Sequence, residues 1–389
     1  MVLQNGVIHS EDKMYPGGFI SFQGGKILMV GQDMMDGAES YEVIHLPESY
    51  HVIPGMIDVH IHGADGADTM DGTYQSMKRI AKVLPQEGVT SFLATTMTQQ
   101  QDKIENSLQN AAQYVQKEQP YGHAELLGVH LEGPFISDKK PGAQPVASIM
   151  KPDVQMFLRW QEIALGSIKL VTIAPEIEGS LEVIRYLSNH GVIASIGHSD
   201  ATYEEVVKAI RAGASHVTHL YNGMRGLHHR EPGVVGAALL HDELMVELIS
   251  DGIHVRPELV KLTFQQKGRE KIILITDAMR AKCLGEGLYD LGGQKVTVQS
   301  GKATLHDGTL AGSVLKMMEA AKNTIKYTGC SIQDVLQMAS VNPAKQLHIF
   351  NRKGSLSPGK DADIVVLDEQ LEVVMTFCRG ELAYHREKF

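Results

Sequence analysis

The sequence predicts an α/β protein: a (β/α)8 TIM barrel with a small β-sandwich domain built from both chain termini. Three observations predict it. Eight short apolar runs recur through the middle of the chain, most of them separated by stretches of helical character. Polar residues capable of chemistry sit at the carboxyl ends of many of these runs, where barrels assemble their sites. Each chain end reads as short strands too few to build a core alone, and chain termini often lie close together. The barrel is expected over 54–350 and the sandwich over 1–53 plus 351–389.

Taken in order, residues 19–31, "FISFQGGKILMVG", alternate around Gly24-Gly25, a hairpin signal. The barrel runs follow: "MIDVHIHG" (56–63), "VTSFLATT" (89–96), "LLGVHLEG" (126–133), "IKLVTIAPE" (168–176), "VIASIGHS" (192–199), "HVTHLYN" (216–222), "MVELISDGIH" (245–254) and "KIILITDA" (271–278). Most are rich in apolar and β-branched residues, as buried strands are. The stretch "SDATYEEVVKAIRAGA" (199–214) illustrates the intervening helices. It opens with Ser199 and Asp200 as cap candidates, carries acids early and closes on Gly213. Residues 288–313 read as a Gly-rich hairpin or two before a helix beginning near Ser313, either a flap on the barrel mouth or a plain connection. The segment "GSLSPGKDADIVVLDEQLEVVMTFCRGELAYH" (354–385) holds two or three more strands. A doubly wound open sheet is the alternative architecture; the polar strand ends favour the barrel.

Charge limits the partners. The 389 residues carry a formal net charge of −10, which argues against nucleic acid, a ligand that needs a basic footprint. An anionic small substrate remains allowed, because it needs only one or two placed cations. Cys283, Cys330 and Cys378 are few and scattered, indicating neither a disulfide framework nor a Cys-rich zinc site. No apolar run approaches the ~18 residues of a membrane span, and "MVLQNGVIHSEDKMYPGG" lacks a signal-peptide pattern. A cytoplasmic enzyme without a membrane partner is the expectation.

The strand ends carry the chemistry. Side chains alternate along a strand, so His60 and His62 point the same way. Glu132 ends the third run, His198 the fifth, His219 the sixth and Asp277 the eighth. Imidazole and carboxylate together suit Zn²⁺ or Fe²⁺ better than Ca²⁺ or Mg²⁺. Six such donors exceed the three that one catalytic ion commonly takes, so one or two divalent ions per subunit are expected. Taken singly, Asp277 also fits a helix N-cap and Glu132 a loop backbone acceptor. His216, His228, His229 and His241 read as surface or loop histidines, among 18 in the chain.

The segments "DVHIHG", "HLEGPF", "IGHSDATYEE", "HLYNGM", "REPG", "SDGIHV", "TDAM" and "DGTLAGS" together resemble the amidohydrolase superfamily, most specifically its N-acetylglucosamine-6-phosphate deacetylase family. "GSLSPGKDADIVVLD" is similar to the superfamily's C-terminal return to a β-sandwich. The resemblance spans nearly the whole chain. It implies hydrolysis of the acetamide of N-acetyl-D-glucosamine 6-phosphate to D-glucosamine 6-phosphate and acetate, in amino-sugar catabolism. It implies that Glu132, His198 and His219 hold the main metal and that His60 and His62 make a second position possible. Glu132 stands where many relatives have a carboxylated Lys, and Asp277 matches the general base and acid. Further implied contacts to the phosphorylated amino sugar are Asn222, Gly223, His254, Leu310 and Ala311. Arg230 of "REPG" is the implied phosphate ligand, in a homodimer where it can reach the neighbour's site; Arg225 and His228 read as solvated loop charges. Where certain relatives have Gly-Thr-His-Asn-Pro, this chain has "GAQP" (142–145). Gln144 can donate to a carbonyl but cannot take up a proton, so a binding role is expected. Two other readings stay open: another amidohydrolase (D-aminoacylase, dihydroorotase-like or isoaspartyl dipeptidase-like), and a non-catalytic scaffold that binds sugar phosphates.

Overall fold

The computed structural model describes residues 1–11, 13–33, 42–117 and 119–387. At its centre, eight strands each lead into a helix. The strands are β1 (Met56–Ile61), β2 (Val89–Thr95), β3 (Glu125–Glu132), β4 (Ile168–Ile173), β5 (Ile193–Ile196), β6 (His216–Val217), β7 (Met245–Leu248) and β8 (Ile272–Leu274). The helices are α1 (Tyr74–Val83), α2 (Gln101–Gln116), α3 (Val154–Ile163), α4 (Ser180–Asn189), α5 (Tyr203–Ala212), α6 (Gly233–Leu240), α7 (Pro257–Lys267) and α8 (Met317–Thr328). The strands pair in chain order from β1 to β8. A doubly wound sheet would reverse that order partway. The two edges also meet: Asp277 N donates to His60 O at 2.8 Å, and His62 N donates to Ala278 O at 2.9 Å. The sheet closes into a barrel.

Local chemistry explains the pieces. All seven residues of β2, "VTSFLAT", are buried, as in a strand covered on both faces. Helix α5 starts with a capping box: the Thr202 hydroxyl accepts from Glu205 N, and the Glu205 carboxylate accepts from Thr202 N. The cap therefore lies beyond Ser199 and Asp200, where it was expected. Both are engaged elsewhere, Ser199 Oγ donating to Glu176 at 2.7 Å and Asp200 pairing with Arg225 at 2.8 Å. Gly213 ends the helix at a φ of 111°, and Val206, Ala209 and Ala212, three apart, form its buried stripe.

The barrel interior is layered. Leu170, Ile193 and Ile273 belong to one apolar cluster. Two residues further along β4 and β5, Thr172 and Ser195 face the same way. With Thr218 and His130 they form a hydrogen-bonded row: His130 Nε2 to Thr172 Oγ1 at 2.7 Å, Thr172 to Thr218 at 2.7 Å, and Ser195 to Thr218 at 2.6 Å. The strand-end residues lie beyond this polar layer.

The termini meet as expected. One sheet runs Lys26–Gly31, Phe19–Gln23, Val2–Gln4, Val43–His45; the other runs Glu381–His385, Val373–Cys378, Ile364–Leu367, His51–Pro54, Val7–His9, Met14–Tyr15. Leu3, Ile20, Phe22 and Ile27 from the first pack with Ile8, Val52, Ile364, Val366 and Phe377 from the second. After β8, a three-stranded antiparallel sheet forms from Gly287–Leu291, Gln294–Gln299 and Lys302–Thr304. The next helix, α8, starts at Met317 rather than near Ser313. Ser313 instead ties the chain back to the barrel, its N donating to Asp277 O at 2.7 Å and its hydroxyl to Thr276 O at 2.5 Å.

Candidate metal centre

Glu132, the last residue of β3, is the hub of the strand ends. Its Oε1 lies 3.1 Å from His219 Nε2, 3.2 Å from His198 Nε2 and 3.5 Å from His60 Nε2. Its Oε2 lies 3.3 Å from His62 Nε2. Asp277 Oδ1 completes the group, 3.2 Å from His62 Nε2 and 3.5 Å from His60 Nε2. All six side chains are buried, and Asp277, at 9% exposure, is the most open.

Backbone shape aims three of them. His198, His219 and Asp277 have φ values of 36°, 30° and 48°, in the left-handed region that residues with a Cβ enter at a cost of about 1–3 kcal/mol each. The imidazole of His198 is gripped as well. A Cβ on Gly223, itself at φ 60°, would lie 2.8 Å from His198 Nδ1, so only glycine fits there. Lys140 O accepts from that Nδ1 at 3.0 Å, leaving Nε2 as the lone pair on the Glu132 side.

Burial alone would push these carboxyls up and these imidazoles down. Mutual pairing outweighs it. Against burial, His60, His198 and His219 hold the Glu132 carboxyl well below the usual range. Asp277 and Glu132 lift His62 to about 9, again against burial. Among the described residues, no Lys or Arg side chain pairs with Glu132 or Asp277. The donors fit a divalent metal on three counts. His60 Nε2 is buried with no hydrogen bond. His198 Nε2 and His219 Nε2 face each other at 3.2 Å while both face Glu132, so one proton cannot satisfy them. The donor spacings are near the about 3.3 Å edge of a tetrahedron with ~2.0–2.1 Å bonds. Among the described residues three sets of three donors form: Glu132 with His198 and His219, His60 with His62 and Asp277, and, one layer below the strand ends, His60 with His130 and Glu247.

The centre opens on a cavity of about 200 Å³. Gln144, Asn222, Gly223, His254 and Leu310 line it with His62, Glu132, His198, His219 and Asp277; Leu291, from the three-stranded sheet, and Thr309, just after it, also line it. The segment after β8 therefore contributes to the cavity wall. Gln144 Oε1 accepts from Thr98 N, and its Nε2 donates to Glu132 Oε2, both at 2.8 Å. His254 Nδ1 donates to Asp251 at 2.6 Å. Two expected contacts lie outside the lining. Ala311 is wholly buried, its N donating to Ala303 O, and Arg230 is exposed, its Nη1 2.7 Å from His229 Nε2. Arg225 is not a solvated charge, because Asp200 holds it through two hydrogen bonds.

His216 corrects the sequence reading more sharply. It is fully buried, not a surface histidine, with Nε2 3.1 Å from Glu247 Oε1. Glu247 and the buried His130 were missed altogether. The available signal was composition: a Glu inside "MVELIS" and a His inside "LLGVHLEG" each need a buried partner.

Comparison with known proteins agrees with this geometry. Residues 51–383 match the family model described as the amidohydrolase family. An N-acetylglucosamine-6-phosphate deacetylase of Bacillus subtilis is 48% identical over 385 residues, covering 99% of this chain and 97% of that protein. An N-acetylgalactosamine-6-phosphate deacetylase of Escherichia coli is 38% identical, covering 85% of this chain and 87% of that protein. The solved structure of a mutant N-acetyl-D-glucosamine-6-phosphate deacetylase from Mycobacterium smegmatis, in complex with N-acetyl-D-glucosamine-6-phosphate, superposes with a TM-score of 0.92. It is 31% identical and covers 98% of this chain and 99% of its own. By barrel, strand-end residues and these likenesses, the chain belongs to the amidohydrolase family and, within it, to the N-acetylglucosamine-6-phosphate deacetylases.

Proposed function

We propose that this chain hydrolyses the acetamide of N-acetyl-D-glucosamine 6-phosphate, releasing D-glucosamine 6-phosphate and acetate, as a step of amino-sugar catabolism. One observation carries the reading: two adjacent buried sets of metal-type donors, one holding Glu132 and the other within 3.5 Å of it, reach one cavity and among the described residues have no Lys or Arg partner. A Zn²⁺ or Fe²⁺ ion bound there would polarise the amide carbonyl and acidify water to a pKa of ~7. Glu132, His198 and His219 would hold one ion, and His60, His62 and Asp277 would hold a second. Asp277, the most open of the six, takes a proton from the attacking water and returns it to the departing nitrogen. A basic amine leaves poorly without that proton.

Substrate recognition falls to the cavity wall. One N–H of the Gln144 amide is engaged by Glu132, and its second is the donor for the acetyl carbonyl. Asn222, Gly223, His254 and Leu310 contact the sugar. Arg230, exposed and absent from the wall of its own cavity, serves as the phosphate ligand across a homodimer interface, where a guanidinium can pair with phosphate through two parallel hydrogen bonds. Residues 1–53 plus 351–389 make the sandwich domain and 54–350 the barrel, and the reaction is cytoplasmic. Among the described residues, no helix is long and apolar enough to cross a membrane.

The test combines elemental analysis with amine release from three sugars: the 6-phosphates of N-acetylglucosamine and N-acetylgalactosamine, and unphosphorylated N-acetylglucosamine. One or two metal ions per chain are expected, with turnover lost on chelation. The glucosamine phosphate should be the best substrate, and Arg230→Ala should raise its KM by roughly 10–100-fold, the worth of a charge-assisted hydrogen bond. Turnover without metal, or equal efficiency with and without phosphate, overturns the reading. Preference for the galactosamine phosphate would keep the chemistry and replace the sugar.

A further inference from the structure

Glu247 sits within β7, between Val246 and Leu248, and is fully buried. A carboxylate there costs several kcal/mol unless both oxygens are satisfied. Both are. Oε2 accepts from His60 Nδ1 at 2.9 Å and from the His219 backbone N–H at 3.0 Å, and Oε1 accepts from His216 Nε2 at 3.1 Å. A carboxylate only accepts, so His60 carries its proton on Nδ1. In the neutral ring that leaves Nε2 as the lone pair, and Nε2 is the atom facing Glu132 and Asp277, each at 3.5 Å.

No other imidazole of the centre is held in this way. The Nδ1 atoms of His62 and His219 are buried without a hydrogen bond, and that of His198 meets a neutral carbonyl. Among the described residues, the one carboxylate outside the six that is hydrogen-bonded to a ring of the centre therefore serves His60, a member of the second donor set. It touches the first set only through the main chain of His219.

We propose that Glu247 is a positioning residue for the second metal position: it fixes His60 in the tautomer that presents Nε2, adds one negative charge behind the ring, and so determines whether that position fills. His216 braces its other oxygen. The inference rests on the metal-dependent reading of the site.

The test is calorimetric titration of Zn²⁺ into chelator-stripped protein, with bound metal counted by elemental analysis, for the wild type, Glu247→Gln and Glu247→Asp. Gln keeps the shape and loses the charge. Asp keeps the charge and withdraws it by one methylene from His60. The wild type should take two equivalents. Both variants should keep the first within about threefold and lose about 10–100-fold on the second, the usual cost of removing a partner of a ligating histidine. Unchanged affinity for the second equivalent, equal weakening of both, or failure of both variants to fold overturns the proposal. Should Gln alone fail to fold, Asp decides by the same criteria. A wild type that takes one equivalent also overturns it and leaves the proposed reaction standing. A wild type that hydrolyses substrate with no metal overturns the reaction itself.

Discussion

Strand β3 carries a carboxylate at each end, Glu125 half-buried and Glu132 buried, and the two live differently. At the amino end, Glu125 meets Arg352 at 2.9 and 3.0 Å and Lys353 at 2.8 Å. Arg352 and Lys353 also pair with Asp361, Lys353 with Asp363, and Lys26 with Asp361. Three carboxylates face three cations, so this cluster neutralises itself and binds the barrel to the chain returning to the sandwich. Seven residues along, Glu132 meets four imidazoles and the Gln144 amide. The first cluster is complete in Lys and Arg cations, whereas the second, among the described residues, has none and is in that sense incomplete. Identical residue types thus become structural or chemical according to whether the chain supplies its own countercharge, and the split follows the barrel rule that the carboxyl face holds the site.

The largest expected effect comes from the incomplete end. Asp277→Asn should lower kcat by about 10³-fold or more, within the range for losing a general base and acid, while metal stays on Glu132, His198 and His219. Turnover and metal content measured on one preparation check this, and activity near the wild type would remove Asp277 from the chemistry. The complete end should behave in the opposite way. Lys353→Met leaves Asp363 without a cation and takes one of the cations from Glu125 and Asp361, and should cost about 3–5 kcal/mol of stability, as breaking a buried pair does. Chemical denaturation reads it. Metal content and turnover of the folded fraction should not change, and a selective loss of turnover would break the comparison.

These clusters were unequally legible in the sequence. His60, His62, Glu132, His198, His219 and Asp277 stood out because each ends an apolar run, and a run's end is visible without knowing its neighbours. The barrel was legible for the same reason: eight runs spaced by helices have few closed solutions. Glu247 and His216 were hidden because their meaning lies in an interior layer, where β6 and β7 register side by side. Neighbours in that layer are 31 residues apart in sequence. The Glu125 cluster was hidden likewise, since the cations that meet Glu125, Arg352 and Lys353, come from beyond residue 350. Local competition defeated the cap at Ser199 and the helix at Ser313: each has a tertiary partner that claims the hydrogen bond a local motif would have used. For Arg230, "REPG" identified a residue type, but a pocket in one chain shows only that chain's own wall.

The smallest effect sharpens the comparison through pH. Burial pushes Glu125 up, yet Lys353 and Arg352 outweigh it and bring its pKa down from 4.5 to about 2. Asp361 is lowered in the same way, whereas Asp363 is raised by burial and acts in the opposite sense. A lowered folded pKa means stability that is present above the unfolded value and lost as the group takes up its proton. For Glu125 that window runs from pH 4.5 down to about 2. With two lowered groups against one raised, acid should weaken the cluster overall. The carboxylates at the other end titrate too, so the wild type alone cannot isolate this cluster. The difference between wild type and Lys353→Met can, because only these carboxylates lose their lysine. That difference should be full at pH 7 and shrink below pH 4.5 as Glu125 and Asp361 take up protons, first in the variant, where the lysine no longer holds them down. Urea midpoints taken in parallel from pH 7 to 3 would show it. A gap that stays constant across that range would mean the lysine acts by packing its stem rather than by pairing its charge, and the contrast between the two ends of β3 would no longer be one of countercharge.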